Sequence, residues 1–306
     1  MHYHLAFKSR AGTRETLGES GERTMQMHDA GDGGMSQSAT VQAIGRLAAD
    51  MQSDGQGDGQ SDGQRFVLRG VDGWLQGRTM YGGASSFLAY AAARKARPDL
   101  PPLRGAQVGF IAPVGQDMDI AVSVLREGKS VSQIQTNLYC DGALAHRGLW
   151  LFGSARQSNG GVAPGTAEGF LPVEEMEPIG SPEGLHFVRN LEIRRAEPRG
   201  GLRQGTVRRW VRLKDRDGLD PIGELVLLGD ALPPGSIRAM ERQGPISSIN
   251  WSLTLLGDAP TTRDGWWLLE TASNHMADGF SSETLRMWNA DGVEVMRGLQ
   301  SVAIFG

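Results

Sequence analysis

The spacing of apolar residues along the chain predicts two similar series of strands, each accompanied by one helix. Residues 118–126 carry Ile and Val at alternate positions, the period of two that is typical of a half-buried strand. Residues 83–96 are alanine-rich, with apolar residues at helical spacing, and end before Arg97-Pro98, which predicts a helix packed on a flat surface. One helix against a long antiparallel sheet, made twice, is an α+β design.

The remaining elements are expected in a similar order in both halves. Further strands of the first half are predicted at 66–69, 105–112, 130–139 and 144–155. Those of the second half are predicted at 185–195, 203–214, 247–256, 265–274, 281–289 and 293–304, with a helix at 222–231.

Two Asp-Gly pairs, 150 residues apart, lie near the end of each half. Asp141-Gly142 and Asp291-Gly292 each stand between two alternating runs, and after four further residues each is followed by Arg-Gly-Leu. Asp-Gly readily adopts the positive φ angles of a type I′ turn, which joins antiparallel strands. We therefore expect each half to end in a long hairpin closed by such a turn.

The chain divides into an extension, two folded units and a connector. Residues 1–64 hold 5 Lys and Arg against 9 Asp and Glu, and include a Gly-Asp-Gly-Gln repeat that cannot bury enough apolar surface to offset its ordering entropy. We expect this extension to be mostly disordered, with a short helix near 38–51; a regulatory or docking tail is the alternative. The folded units are then 65–157 and 183–306, joined by a Gly- and Pro-rich connector at 158–182.

Composition excludes several classes of function. The 306 residues have a formal net charge of −4, from 31 Lys and Arg against 35 Asp and Glu, so nucleic acid is not an expected partner. Cys140 is the single cysteine, and no HxxxH or CxxC pair occurs, so neither a disulfide framework nor a metal site is expected. No apolar run approaches the roughly 20 residues that span a bilayer, and no secretory signal is evident. We therefore expect no membrane partner and a cytoplasmic location.

Four segments carry a family resemblance. They read GWLQGRTMYGG at 73–83, LLGDA at 227–231, SIN at 248–250 and LQSV at 299–302. Together they resemble the acyl-CoA thioesterase II, or TesB-like, family over about residues 65–306. The resemblance implies a double hotdog, in which two fused helix-on-sheet domains form a pseudodimer. It also implies hydrolysis of acyl-CoA thioesters without metal or cofactor, in a homo-oligomer.

The resemblance also implies a set of site residues. Family members use an Asp, a Thr or Ser, and a Gln of the second hotdog to orient a water, and these fall on Asp230, Ser248 and Gln300. The chain departs from the family at Asn250, where Asp is frequent, and at Trp251, where His is frequent. Those departures concern the substrate pocket more than the three polar residues.

Thioester hydrolysis needs a positioned water, a proton acceptor and donors aimed at the developing oxyanion. Asp230 lies in the apolar stretch VLLGDALPP, where partial desolvation would raise its pKa toward a useful range. Ser248 and Gln300 can each donate and accept hydrogen bonds, and so could hold the water. The N–H groups at the Gly82-Gly83 helix start would form the oxyanion hole.

Each of these residues also has a structural interpretation. Asp230 could simply end a helix, Ser248 could be a polar residue at a strand edge, and Gln300 could face solvent. Gly82 and Gly83 could serve only the packing of the helix. At the 150-residue offset Gln300 and Asp230 correspond to the apolar Trp150 and Met80, which suggests that only the second half keeps a chemical site.

Other functions remain open at this point. A protein of the same fold could bind acyl-CoA without turnover. A hotdog hydratase would be expected to carry His five residues after its Asp, where this chain has Gly235. No GxSxG elbow and no nucleotide-binding glycine motif occurs. Arg94, Lys95 and Arg97 could bind CoA phosphates, although such cations more often complement a helix C-terminus.

Overall fold

One antiparallel sheet of 12 strands dominates the structure. The computed structural model describes residues 43–56, 63–180, 184–198 and 201–305. The first half of the chain supplies six neighbouring strands, in the spatial order β1 (Gln52–Gln56), β2 (Gln64–Leu68), β6 (Met118–Glu127), β7 (Val131–Cys140), β8 (Ala143–Gly153) and β5 (Leu103–Phe110). The second half continues from β5 with β11 (Ile246–Leu255), β14 (Glu294–Ile304), β13 (Phe280–Trp288), β12 (Trp267–Ala277), β10 (Thr206–Leu213) and β9 (Leu191–Arg195).

The strand order is symmetric about the central pair of β5 and β11, as expected for two copies of one unit. A separate hairpin of β3 (Leu75–Gln76) and β4 (Thr79–Met80) precedes the long helix of the first half. The helices are α1 (Ile44–Ala49), α2 (Gly82–Ala96) and α3 (Pro221–Leu228), and short 3₁₀ segments lie at Val173–Glu175, His186–Asn190 and Gly235–Arg238. This is the α+β double hotdog that the sequence predicts.

The two long helices pack against each other in opposite directions. The Tyr81 hydroxyl, just before α2, donates to the carbonyl of Leu227 near the end of α3. At the other end, Tyr90 of α2 pairs with Asp220, which also caps α3 by accepting the N–H of Gly223 at 2.9 Å. The antiparallel arrangement brings the end of α3 to the start of α2, where the site lies.

The core fills the space between the helices and the inner face of the sheet. Leu227 and Leu228 of α3 are fully buried there, together with Leu88 of α2. Alanine at many positions of α2 leaves room for close contact with strands β6, β7 and β8. Burial of apolar surface on this scale is the main source of stability in such a domain.

The two Asp-Gly turns differ in geometry. Asp141 and Gly142 have φ angles of 50° and 77°, which confirms the type I′ turn between β7 and β8. The same prediction is wrong at Asp291, which does not adopt a positive φ. There the side chain of Asn289 accepts the N–H groups of Asp291 and Val293, so a longer loop joins β13 to β14.

Four segments differ from the sequence-based expectations. The helix expected at 222–231 is α3, which ends at Leu228, so Asp230 lies beyond the helix. Residues 52–56, in the extension expected to be mostly disordered, form β1 and pair with β2. The helix expected near 38–51 is Ile44–Ala49, and residues 1–42 lie outside the described residues. Of the strand expected at 185–195, only β9 is extended, because His186–Asn190 forms a 3₁₀ turn.

The expected connector, 158–182, packs along the second half. Thr166 bridges to Val293, and Pro178 bridges to Arg194 of β9. Val173 is buried in an apolar cluster with Trp210 and other residues of the second half. The bounds 65–157 and 183–306 remain our proposal for the two hotdog units, and a homo-oligomer and a cytoplasmic location also stay predictions. In the described part of the chain, no helix has the length and apolarity needed to cross a membrane.

Candidate functional site

Asp230 enters the interior directly after α3. Gly229 ends the helix, and a Cβ atom there would lie 2.6 Å from Met296 and 2.7 Å from Trp251, so the close packing requires glycine. The chain then turns so that the Asp230 side chain is only 2% exposed. A carboxylate in such a place is unusual unless it has partners or a function.

Gln300 contacts this carboxyl group. It lies on β14, flanked by β11 and β13, and is 4% exposed, so it does not face solvent. Its Nε2 donates a hydrogen bond to Asp230 Oδ1 at 3.1 Å. The structure therefore brings together two side chains that are 70 residues apart in the sequence.

Burial dominates the electrostatics of Asp230. Removal from water disfavours the charged form and raises the pKa of Asp230 from 3.8 to about 7, although the hydrogen bond from Gln300 opposes the rise. At neutral pH the group is therefore close to the midpoint of its titration. A carboxyl group with this pKa can both accept and return a proton near neutral pH.

Ser248 lies on β11 and is 1% exposed. Its Cα partner across the sheet is Val302, two residues beyond Gln300. Within the described residues, neither Ser248 Oγ nor Asp230 Oδ2 has a hydrogen-bond partner, so Ser248 is bonded to neither of the other two residues. Buried oxygens without partners are suited to holding a water or a substrate atom.

The two glycines at the start of α2 have different surroundings. A Cβ atom on Gly82 would overlap Asp230 Oδ2 and come within 3.0 Å of the Phe110 ring, so Gly82 lets the helix start lie against the carboxyl group. A Cβ atom on Gly83 would instead overlap the carbonyl of Leu227 and the Tyr81 side chain. The packing interpretation therefore accounts for Gly83, whereas Gly82 lies at the candidate site.

A cleft of about 540 Å³ reaches this helix start. Its lining includes Gln76, Arg78, Gly82, Phe110, Ser247 and Ile249. Ser247 and Ile249 flank Ser248 on β11, and Gly82 both lines the cleft and lies against the Asp230 carboxyl group. A substrate in the cleft would thus meet both the helix start and the strand that carries Ser248.

Glu283 is a buried acidic residue that the sequence reasoning missed. It is fully buried on β13, directly across from Gln300. Its carboxylate accepts the N–H groups of Gly235 at 2.6 Å and Ser236 at 3.0 Å, and the Ser281 hydroxyl at 2.8 Å. Glu283 therefore ties the segment after Asp230 to the strand beside Gln300. The sequence feature that could have revealed Glu283 is an acidic residue at an inward-facing position of a strand with alternating apolar and polar residues.

Residues that lie 150 positions apart in the two halves are structurally equivalent only on the hairpin strands. Trp150 and Gln300 both lie on the second strand of their hairpins and are both buried. The Trp150 ring donates to Thr136 at 2.8 Å, so the first half has an aromatic ring where the second has an amide. Met80 precedes α2, whereas Asp230 follows α3, so these two residues are not equivalent.

The cations at the end of α2 are occupied by structural contacts. Arg94 donates to backbone carbonyls beyond the helix, Lys95 donates to the carbonyl of Ala49 at 2.6 Å, and Arg97 pairs with Glu127. Their structural interpretation is therefore the better one. Among the described residues, no cluster of three or more His, Cys, Asp or Glu side chains could hold a metal ion.

Comparison with known families matches both halves of the chain. Residues 71–153 match the family model of the acyl-CoA thioesterase N-terminal domain, and residues 171–304 match that of the C-terminal domain. The chain belongs to the acyl-CoA thioesterase family. A search of curated proteins finds no match.

Solved structures share the fold of this acyl-CoA thioesterase family member. A hotdog protein of unknown function from Alicyclobacillus acidocaldarius superposes with a TM-score of 0.73 at 18% identity, covering 87% of this chain and 99% of that one. The acyl-CoA thioesterase II TesB2 of Mycobacterium marinum gives 0.65 at 15% identity, covering 85% and 97%. The tesB protein of Mycobacterium avium subspecies paratuberculosis gives 0.65 at 20% identity, covering 87% and 100%. These likenesses establish the double hotdog.

Proposed function

We propose that the protein hydrolyses acyl-CoA thioesters to the free acid and CoA, using a water activated by Asp230, Ser248 and Gln300. The observation that carries this proposal is the buried Asp230 carboxyl group, which has a pKa raised to about 7 and accepts a hydrogen bond from Gln300. Family membership supplies the class of substrate. No cofactor enters the proposed reaction.

Asp230 acts as the general base. Its ionised form takes a proton from the water, and the water oxygen forms a bond to the thioester carbonyl carbon. The negative charge moves to the carbonyl oxygen, which the N–H of Gly82 and the positive end of α2 stabilise. When the tetrahedral intermediate collapses, the carbon–sulfur bond breaks, and the CoA thiolate takes up the proton held by Asp230.

Gln300 and Ser248 position the water. Gln300 fixes one carboxyl oxygen of Asp230 by donating to Oδ1, which leaves Oδ2 as the proton acceptor. Ser248 Oγ, like Asp230 Oδ2, is a buried oxygen without a hydrogen-bond partner in the described structure, and it can orient the water toward the carbonyl carbon. Alignment of this kind lowers the barrier because the reacting atoms are held in place before the reaction begins.

The direct test is thiol release from a panel of acyl-CoAs by the wild type and by Asp230→Asn. Asparagine keeps the shape and the bond to Gln300 but cannot take a proton, so we expect a loss of roughly 10²–10⁴-fold. Asp99→Asn, on an exposed aspartate, is the matched control and should keep full activity. Equal rates for Asp230→Asn and the wild type would contradict the proposal. Saturable acyl-CoA binding without turnover would identify a binding protein instead.

A further inference from the structure

Gln76 is a buried amide without a partner. It lies on β3, is 2% exposed and lines the cleft that reaches Gly82. Neither Oε1 nor Nε2 of Gln76 has a hydrogen-bond partner within the described residues. A buried side-chain amide that makes no hydrogen bond costs free energy, so its place in a cleft indicates a ligand that both donates and accepts.

The hairpin that carries Gln76 is fixed in position. Thr79, the cross-strand partner of Gln76, accepts the N–H of Val114 at 3.0 Å, and the N–H of Met80 donates to the Val114 carbonyl at 2.7 Å. Thr79 is only three residues before Gly82 in the sequence. Gln76 therefore lies beside the short segment that leads from β4 into the start of α2.

Arg78 lies at the tip of the same hairpin. Its side chain is exposed and lines the cleft. No ion pair or hydrogen bond joins it to another residue in the described ranges, whereas the cations at the end of α2 are all occupied. From the helix start outward, the cleft thus offers an N–H donor at Gly82, an amide at Gln76 and a free guanidinium at Arg78.

We propose that Gln76 binds an amide of the pantetheine arm of acyl-CoA, with Arg78 facing the phosphates. The inference rests on the proposed thioesterase function and assigns the thiol side of the substrate to this end of the cleft. The groups of CoA follow the thioester in the same order: first amides, then phosphates. A secondary amide also matches Gln76 chemically, because it presents one N–H donor and one C=O acceptor.

An unsubstituted acyl chain would leave Gln76 without a partner. A polar or acidic acyl group is the competing occupant, since it too could meet Gln76 and Arg78. Pantetheine is favoured because its amides occur in every acyl-CoA and because Arg78, at the exposed tip, suits a group that extends toward solvent. The two occupants place different parts of the thioester against Gln76: the thiol part in the case of pantetheine, and the acyl part in the case of a polar acyl group. Substrates that vary only one of these parts distinguish the two.

The test compares three thioesters of one acyl group: the CoA thioester, the N-acetylcysteamine thioester with a single amide, and the S-ethyl thioester with none. For Gln76→Leu we expect kcat/KM to fall about 10- to 100-fold with the first two and to stay unchanged with the third. For Arg78→Met we expect a loss only with the CoA thioester, and a smaller one at high salt. Gln133→Leu and Arg126→Met, both outside the cleft, are the controls.

Other outcomes separate the possible failures. An equal loss with all three thioesters, or a loss that follows the acyl group and not the thiol, would overturn the role of Gln76. Gln76→Glu keeps the shape but loses both N–H donors, and it replaces Gln76→Leu if the leucine variant does not fold. A wild type that cleaves none of the three would contradict the proposed function. In that case, calorimetric measurement of pantetheine binding tests the role of Gln76 independently of catalysis. We expect Gln76→Leu to abolish pantetheine binding, and unchanged binding would overturn the inference.

Discussion

Replacement of Asp230 by asparagine should change how the stability of the protein depends on pH. Burial raises the pKa of Asp230 from 3.8 to about 7, so the folded state favours the protonated carboxyl group. That stabilisation is fully present below pH 3.8 and is lost as the pH rises through 7. At about 1.4 kcal/mol per pKa unit, the whole loss is about 4 kcal/mol, of which roughly 2–3 kcal/mol falls between pH 5 and pH 8.

Asparagine is neutral throughout this range and keeps an oxygen for Gln300. The free energy of unfolding of Asp230→Asn, measured by urea denaturation at intervals from pH 5 to pH 8, should therefore rise relative to the wild type by roughly 2–3 kcal/mol. Asp99→Asn, at an exposed position, should follow the wild type. Parallel curves for Asp230→Asn and the wild type would refute the reasoning, because they would show that the Asp230 carboxylate is not desolvated.

Two further predictions concern the residues around the site. Gly82→Ala places a methyl group against Asp230 Oδ2, a side-chain atom that can shift, so thiol release should fall at least tenfold. Gly83→Ala overlaps the Leu227 carbonyl, a backbone atom, and should lower the melting temperature more than Gly82→Ala does. The reverse ranking of the two melting temperatures would contradict the assignment. Glu283→Gln removes one hydrogen-bond acceptor from a buried cluster, so the free energy of unfolding, measured by urea titration, should fall by about 1–3 kcal/mol. Unchanged stability would show that Glu283 does not hold the segment after Asp230.

Most of the fold could be predicted from the sequence because it follows local periodicity. Strand β6 and helix α2 were visible from apolar spacing alone, and the Asp141-Gly142 turn from its residue types. Strand β1 was missed because its sequence, QSDGQ, has no apolar residue, and its pairing with β2 relies on backbone hydrogen bonds. The turn at Asp291 was misassigned because the side chain of Asn289, two residues earlier, decides its geometry.

The site was only partly predictable. The apolar stretch around Asp230 correctly indicated burial, and with it a raised pKa. Its contact with Gln300 depends on how the chain just after α3 lies against β14, which no local pattern encodes, so the pairing came from the family resemblance. Glu283 was missed because its partners are backbone N–H groups distant in sequence. Gln76 was missed because its burial follows from the docking of a short hairpin.

The pH dependence of kcat/KM for an acyl-CoA tests the central claim most directly. If Asp230 takes the proton from water, the rate should rise with pH and level off above an apparent pKa of about 7. Gln300→Leu removes a hydrogen bond that lowers the pKa of Asp230, so its profile should shift to higher pH. A wild-type rate that stays constant from pH 5 to pH 9 would contradict the account.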